Sequence, residues 1–305
     1  MASLSAQRSA PAGRKLPRQL RRFLLTVLPL LGALHAYIGW RLLPALPIGK
    51  AGVALGVALL AASALLVPLS MVARFLVARG DVADRLSGLG SLLMGLFSSL
   101  LVLTLLRDVV LLFVPAGLAA PTALGVLAGA LLLSLVGYVN ARRLARVVHV
   151  DIPLAGLPAA LNGFSIVQLS DIHVGPTIKR DYVAAIVSQV NALDADLIAI
   201  TGDLVDGSVA ELTDHTAPLA GLAARYGAYV VTGNHEYYSG AGEWIAEFSR
   251  LGLRGLHNAH VVIEHDGARL VLAGITDFSA HVFDPDQRSD PQRALAGRPG
   301  GLPAS

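Results

Sequence analysis

The chain has 305 residues, 54% of them hydrophobic and only 15% charged, which excludes a wholly soluble protein of ordinary composition. It has no cysteine, so disulfides and thiolate metal sites are excluded as well. The net charge of +3 is split unevenly: residues 1–150 carry 15 basic and 3 acidic residues, and residues 151–305 carry 9 and 18. The positive charge thus flanks apolar segments, where it meets anionic lipid head groups. No basic stripe marks the later half, so no nucleic-acid partner is expected.

Residues 1–22 form a basic N-terminus, and residues 23–140 hold four apolar segments of spanning length: 23–43, 51–73, 87–106 and 117–139. The first has the position of a signal peptide, but three more segments follow and no tidy small-residue cleavage site is present, so it reads as an anchor. Arg107-Asp108 either ends the third span or is a buried pair inside a longer helix, and the first is the expectation. Gly52/Gly56 and Gly125/Gly129 are small-residue pairs of the kind that lets helices approach. Twelve basic residues lie at one set of span ends and three, Arg41, Lys50 and Arg107, at the other. That asymmetry predicts an integral, multi-pass protein of the cytoplasmic membrane with its N-terminus and C-terminal domain in the cytoplasm.

Residues 141–162 read as a linker, and the domain begins after it at 163. Short apolar runs at 164–169, 197–201 and 228–232 predict buried strands, separated by helix-like stretches. Each run ends in a polar tip: Ser170-Asp171-Ile172-His173, Gly202-Asp203-Leu204-Val205-Asp206 and Gly233-Asn234-His235-Glu236. The tips recur at 32 and 31 residues, enough for a helical crossover between parallel strands. All three should emerge at the carboxyl edge of one sheet. Carboxylates, imidazoles and an amide oxygen converging there make a metal site. Asp266-Gly267 between apolar runs 261–264 and 269–275 predicts a hairpin flanked by His257, His260 and His265. His215, in a helix-like stretch, reads as a surface residue.

In order and wording these tips resemble the calcineurin-like metallophosphoesterases, in particular their membrane-anchored bacterial branch. That family carries an Asp-x-His tip, a Gly-Asp tip, a Gly-Asn-His-Asp/Glu tip and two later histidine tips, the last spelled Gly-His-x-His. The resemblance covers residues 163–277 and implies an α/β metallophosphoesterase sandwich behind a four-span α-helical transmembrane bundle. It implies two divalent metal ions, Mn, Fe or Zn. Asp171 and His173 would bind the first, Asp203 would bridge both, and Asn234 would bind the second through its side-chain oxygen. His235 would protonate the leaving oxygen. Asp206 and Glu236 either support these imidazoles or are solvated loop acids.

The later histidine tips do not follow, and His281 lacks their context. The phosphoesterase domain is therefore expected to be partial over 163–287. Residues 288–305, rich in Arg, Pro, Gly and Ala, are expected to be a disordered tail. A truncated or frameshifted reading frame is the preferred account, with natural degeneration as the alternative. The implied function is membrane-anchored hydrolysis of phosphate mono- or diesters or pyrophosphates. The linker reaches at most about 70 Å when fully extended, which suits a lipid-linked substrate; a broad phosphodiesterase fits nearly as well. The competing reading is a catalytically inactive metal- or ligand-binding membrane module.

Overall fold

The structure is a computed structural model that describes residues 18–73, 77, 80–113 and 115–300. Arg8, Arg14, Lys15, Arg74 and Arg79 of the basic flanks, and residues 301–305 of the tail, lie outside the described residues. The chain divides into two compact units, Met1–Arg142 and Arg143–Ser305.

Among its described residues the first unit has four long helices: α1 (Arg18–Leu42), α2 (Gly49–Met71), α3 (Gly80–Val110) and α4 (Ala119–Arg142). All four are long and apolar enough to cross a membrane. Leu31, Ile38, Val67, Phe97, Ala123 and Val126 pack inward. Leu55, Leu59, Leu65, Leu131, Leu132 and Leu135 face outward, exposing a hydrocarbon surface that water would not tolerate and lipid would. His35 is buried inside: its Nδ1 donates to Leu31 O at 2.8 Å, its Nε2 accepts from Ser63 Oγ at 3.0 Å, and its ring stacks on Phe97 at 4.2 Å.

One expectation is corrected in this unit. Arg107-Asp108 does not end the third span, because α3 runs through it to Val110 and Arg107 is buried. The reason is that both charges find partners. Asp108 accepts from Tyr37 Oη at 2.5 Å and from Arg41 Nε and Nη2 at 2.7 Å each. Arg107 donates to Arg41 O, Thr122 Oγ1 and Ala119 O at 3.0–3.2 Å. The tight glycine contact between α2 and α3 is at Gly90, where a Cβ would collide with Ser70 Oγ. Of the expected glycine pairs, Gly56 and Gly129 do lie at close approaches, to Leu43 and to Leu103 of α3, whereas Gly125 has open space beside it and a Cβ at Gly52 would meet only Ile48 of its own chain segment.

The second unit is built on a parallel sheet in the order β1-β2-β3-β4. Its strands are β1 (Ile166–Leu169), β2 (Leu197–Ile200), β3 (Ala228–Val230) and β4 (Arg254–Gly255). Ile166 pairs with Leu197, Ile198 with Ala228 and Val230 with Gly255. The apolar runs lack alternation because β2 and β3 are covered on both faces. Helices α5 (Arg180–Asn191), α6 (Val209–Thr216), α7 (Asn234–Ser239) and α8 (Ala241–Arg250) supply the crossovers. Val183, Ile186, Leu212, Trp244 and Phe248 pack against Ile198, Ile200 and Val230 to form the main core.

On the other face lies the antiparallel hairpin β5 (Ala259–His265) and β6 (Ala268–Gly274), with Ile263 and Leu272 against Leu197 and Tyr229. The Asp266-Gly267 turn places both residues at positive φ, 49° and 84°, as a tight hairpin turn requires. His265 Nδ1 meets Tyr226 Oη at 3.0 Å. His215, read as a surface residue, is half-buried, and its Nδ1 has no hydrogen-bond partner.

The stretch read as a disordered tail is anchored as far as Ala294, which is buried. A short helix, α9 (Pro291–Ala294), starts at Asp290, whose Oδ1 accepts from Arg293 N at 2.9 Å. Asn258 donates to Arg288 O at 2.8 Å and accepts from Asp290 N at 2.9 Å, and His260 Nδ1 donates to Ala294 O at 2.7 Å. Composition missed this segment because polar side chains at the start of β5 hold it, with little apolar burial of its own.

Candidate metal centre

The three tips meet at the carboxyl edge of the sheet, and backbone pairing continues past the strand ends to hold them there. Asp171 N donates to Gly202 O, His173 N to Asp203 O and Val174 N to Leu204 O, closing with a bridge between Val174 and Val205. Asp171, His173 and Asp203 all take left-handed backbone, at φ 56°, 52° and 53°. Such conformations cost free energy and cluster where a fold must aim side chains.

Gly202 and Gly233 are required by contact. A Cβ on Gly202 would overlap the backbone of Gly233, and one on Gly233 would overlap the Asp203 carboxylate. The second and third tips therefore touch through their glycines. Glu236 joins them from below. It is fully buried and accepts from Gly233 N at 2.7 Å, Leu204 N at 2.8 Å and Asp203 N at 3.0 Å. Burial pushes its carboxyl above the usual range, against the pull of those three donors.

Asp203 sits at the centre. His235 N donates to its Oδ1 at 3.0 Å, and ligand atoms of His173, Asp203 and His235 lie within 4.8 Å of one another. Asp206 Oδ1 contacts both imidazoles through their Nδ1 atoms, at 3.0 Å for His173 and 2.6 Å for His235. A carboxylate there favours the N–H on each Nδ1 and leaves each Nε2 free as a ligand or proton carrier. The rings stand edge to face at 4.5 Å. Burial lowers the pKa of His173, but the hydrogen bond and charge of Asp206, with Asp203 and Asp171, outweigh it and leave it raised.

The Asn234 amide lies between Asp203 and Tyr238: its nitrogen donates to Asp203 Oδ2 and Oδ1 at 3.1 and 3.2 Å, and its oxygen accepts from the Tyr238 hydroxyl at 3.1 Å. The imidazole and carboxylate donors of His173, Asp203 and His235 fit a divalent ion.

Asp171 is two-thirds exposed, bonded to Ser170 Oγ, with its Oδ1 3.7 Å from His173 Nε2. His257, His260 and His265 belong to the hairpin region, and His281 Nδ1 donates to Phe278 O. None of these four joins the His173–Asp203–His235 group. Asp206, left open by spacing alone, proves to be the residue that touches both imidazoles.

Residues 164–295 match the family model for the calcineurin-like phosphoesterase. They are a calcineurin-like phosphoesterase domain. A Danio rerio protein, "Transmembrane protein with metallophosphoesterase domain", is 41% identical over 170 residues, 54% of this chain and 39% of the relative. A Bos taurus protein of the same description is 40% identical over 173 residues, covering 54% and 39%. The UDP-2,3-diacylglucosamine pyrophosphatase of Chlamydia trachomatis is 30% identical over 95 residues, covering 31% and 29%. The chain thus spans about two fifths of the length of the first two curated relatives. No solved structure gives a significant match.

Proposed function

We propose that the chain is a membrane-embedded, metal-dependent hydrolase of phosphate esters or pyrophosphates, with two divalent ions of the Mn, Fe or Zn type. The observation that carries this reading is Asp203, placed against His235 and facing Asn234, with the ligand atoms of both histidines within 4.8 Å. In the proposed assignment Asp171 and His173 would hold one ion, Asn234 would hold the other, and Asp203 would serve both. When bound, the ions supply Lewis acidity, offsetting charge on the phosphoryl oxygens and acidifying the attacking water.

The chain's own residues supply the proton. His235 points Nδ1 at Asp206, so Nε2 is the atom offered to the leaving oxygen. Asp206 stabilises the imidazolium that donates. One water is consumed, the phosphorus–oxygen bond to the leaving group breaks, and that oxygen departs protonated. Glu236 takes no proton in this scheme and keeps the two loops in register.

A lipid-linked substrate is the narrower proposal. Four candidate spans lie in the same chain, and the Chlamydia relative is named for a pyrophosphatase of a diacylated sugar nucleotide. The proposed orientation, with the phosphoesterase domain in the cytoplasm, follows from the basic flanks. Arg41 and Arg107 weigh little against it, since both are tied to the Asp108 region.

The test pairs metal content with turnover of a chromogenic phosphodiester in Mn²⁺. His235→Ala should lower kcat by roughly 10²–10⁴ with metal retained, whereas Asp203→Ala should lose metal. A second reading, favoured by the presence of His235 within the 4.8 Å group, makes His235 a third ligand. Equal metal loss in both variants would establish it and overturn the acid assignment. Metal uptake with no turnover would instead support the inactive binding module.

A further inference from the structure

Of the ten Phe, Tyr and Trp rings of the second unit, four are buried and three half-buried. Among its described residues three are exposed: Tyr238 at 62%, Phe278 at 84% and Phe283 at 49%. All three come from two segments beside the metal centre. Tyr238 lies on α7, the helix that opens with Asn234 and His235, and the phenylalanines flank the short turn at 280–282. Ring contacts lead outward from the site: His235 to Tyr238 at 5.4 Å, then Tyr238 to Phe283 at 5.5 Å. Phe283 also meets the buried Tyr237 at 6.0 Å, and Val282 is 70% exposed.

The loop that carries these side chains is fixed. Asp277 Oδ1 accepts from Ser279 N at 2.8 Å, Ala280 is fully buried, and Thr276 Oγ1 donates to Gln287 O at 2.7 Å. Apolar rings are therefore held in water at the edge of a polar site, and a partner that covers them gains hydrophobic free energy. Asp277, Asp284 and Asp286 lie in the same stretch and oppose docking on an anionic bilayer. That favours a single bound molecule.

Position selects which part of the molecule binds here. In the reading above, His235 protonates the leaving oxygen, so the carbon skeleton attached to that oxygen lies on the His235 side, against Tyr238 and then Phe283. We propose that Tyr238, Phe278, Val282 and Phe283 form an apolar lip that binds the hydrocarbon of the leaving group. The site would then prefer phosphate esters of apolar alcohols to those of hydroxylated ones. The inference rests on the phosphoesterase reading and deepens it.

Alkylphosphonates from methyl to hexyl test the lip, since their carbon–phosphorus bond survives and binding is read directly. The full Mn²⁺-loaded chain in nanodiscs is titrated calorimetrically, with empty nanodiscs as the blank. Each added methylene should tighten Kd about twofold; full burial would give roughly fourfold. The double substitution Phe278→Ser and Phe283→Ser should flatten that series. A wild-type chain that binds methylphosphonate but shows no gain with length overturns the lip and leaves the phosphoesterase reading standing. Failure to bind any member, methylphosphonate included, overturns the phosphate site and the lip together. A series that stays steep in the double variant assigns the hydrocarbon to another surface and overturns the lip.

Discussion

Two histidines of the phosphoesterase domain respond to their surroundings in opposite senses, and each leaves a different mark on stability. His257 has a buried Nε2 with no partner, and burial lowers its pKa. As pH falls below about 6.5 the unfolded chain takes up this proton first, so stability drops down to the folded-state value. His173 is raised, with Asp206 as its main support against burial. Its stabilisation is complete below about 6.5 and fades as pH rises through the raised value. Metal-free chain, kept so with chelator, should therefore show greatest amide-exchange protection in the domain near pH 6.5, falling on both sides. His257→Leu should remove the acid-side fall and leave the alkaline one. A profile unchanged by that substitution would rule out His257 as its source. The sequence offered Asp171, His173, Asp203, Asn234 and His235 because each closes a strand. It could not reveal that Asp206 touches both imidazoles, because His173 and His235 belong to separate tips and only the folded sheet brings them to one oxygen.

Among elements, the joint between the second and third tips rests on Glu236 more than on any side chain aimed at the ions. Its carboxylate ties the start of α7 to the backbone on both sides of Asp203. Glu236→Ala would strand three N–H groups, one buried and two half-buried, and should cost about 3 kcal/mol, read from denaturant unfolding. Glu236→Gln keeps one acceptor oxygen and should recover part of that loss. If both variants unfold like the parent, the joint is held by the glycine contacts alone. The strands and the hairpin were legible because their apolar runs and the Asp-Gly turn act locally. Residues 288–294 were not, because Asn258 and His260, some thirty residues earlier, supply the order. Arg107-Asp108 misled for the same reason: Tyr37, Arg41 and Thr122 make the charges tolerable, and spacing along α3 does not show them.

For the molecule as a whole, charge asymmetry yields an orientation that labelling can decide. The chain has no cysteine, so a single introduced one reports alone. Ile48→Cys, between α1 and α2, should react with an impermeant maleimide on spheroplasts. Ser249→Cys, on the exposed face of α8, should react only after lysis. The reverse pattern would place the phosphoesterase domain outside and contradict the proposed orientation.

The strand order β1-β2-β3-β4 has a consequence for synthesis. Each strand joins the one made just before it, so no part of this sheet waits for a distant partner. A chain emerging from the ribosome at about 5–20 residues per second can add one strand and one tip every few seconds. Asp171 and His173 come first, Asp203 next, and Asn234 and His235 last, each as its strand docks. The donor set would then gather in vectorial order, with Asp203 in place before Asn234 and His235 arrive. A nascent chain stalled with residue 225 just outside the tunnel would already display half of the pocket.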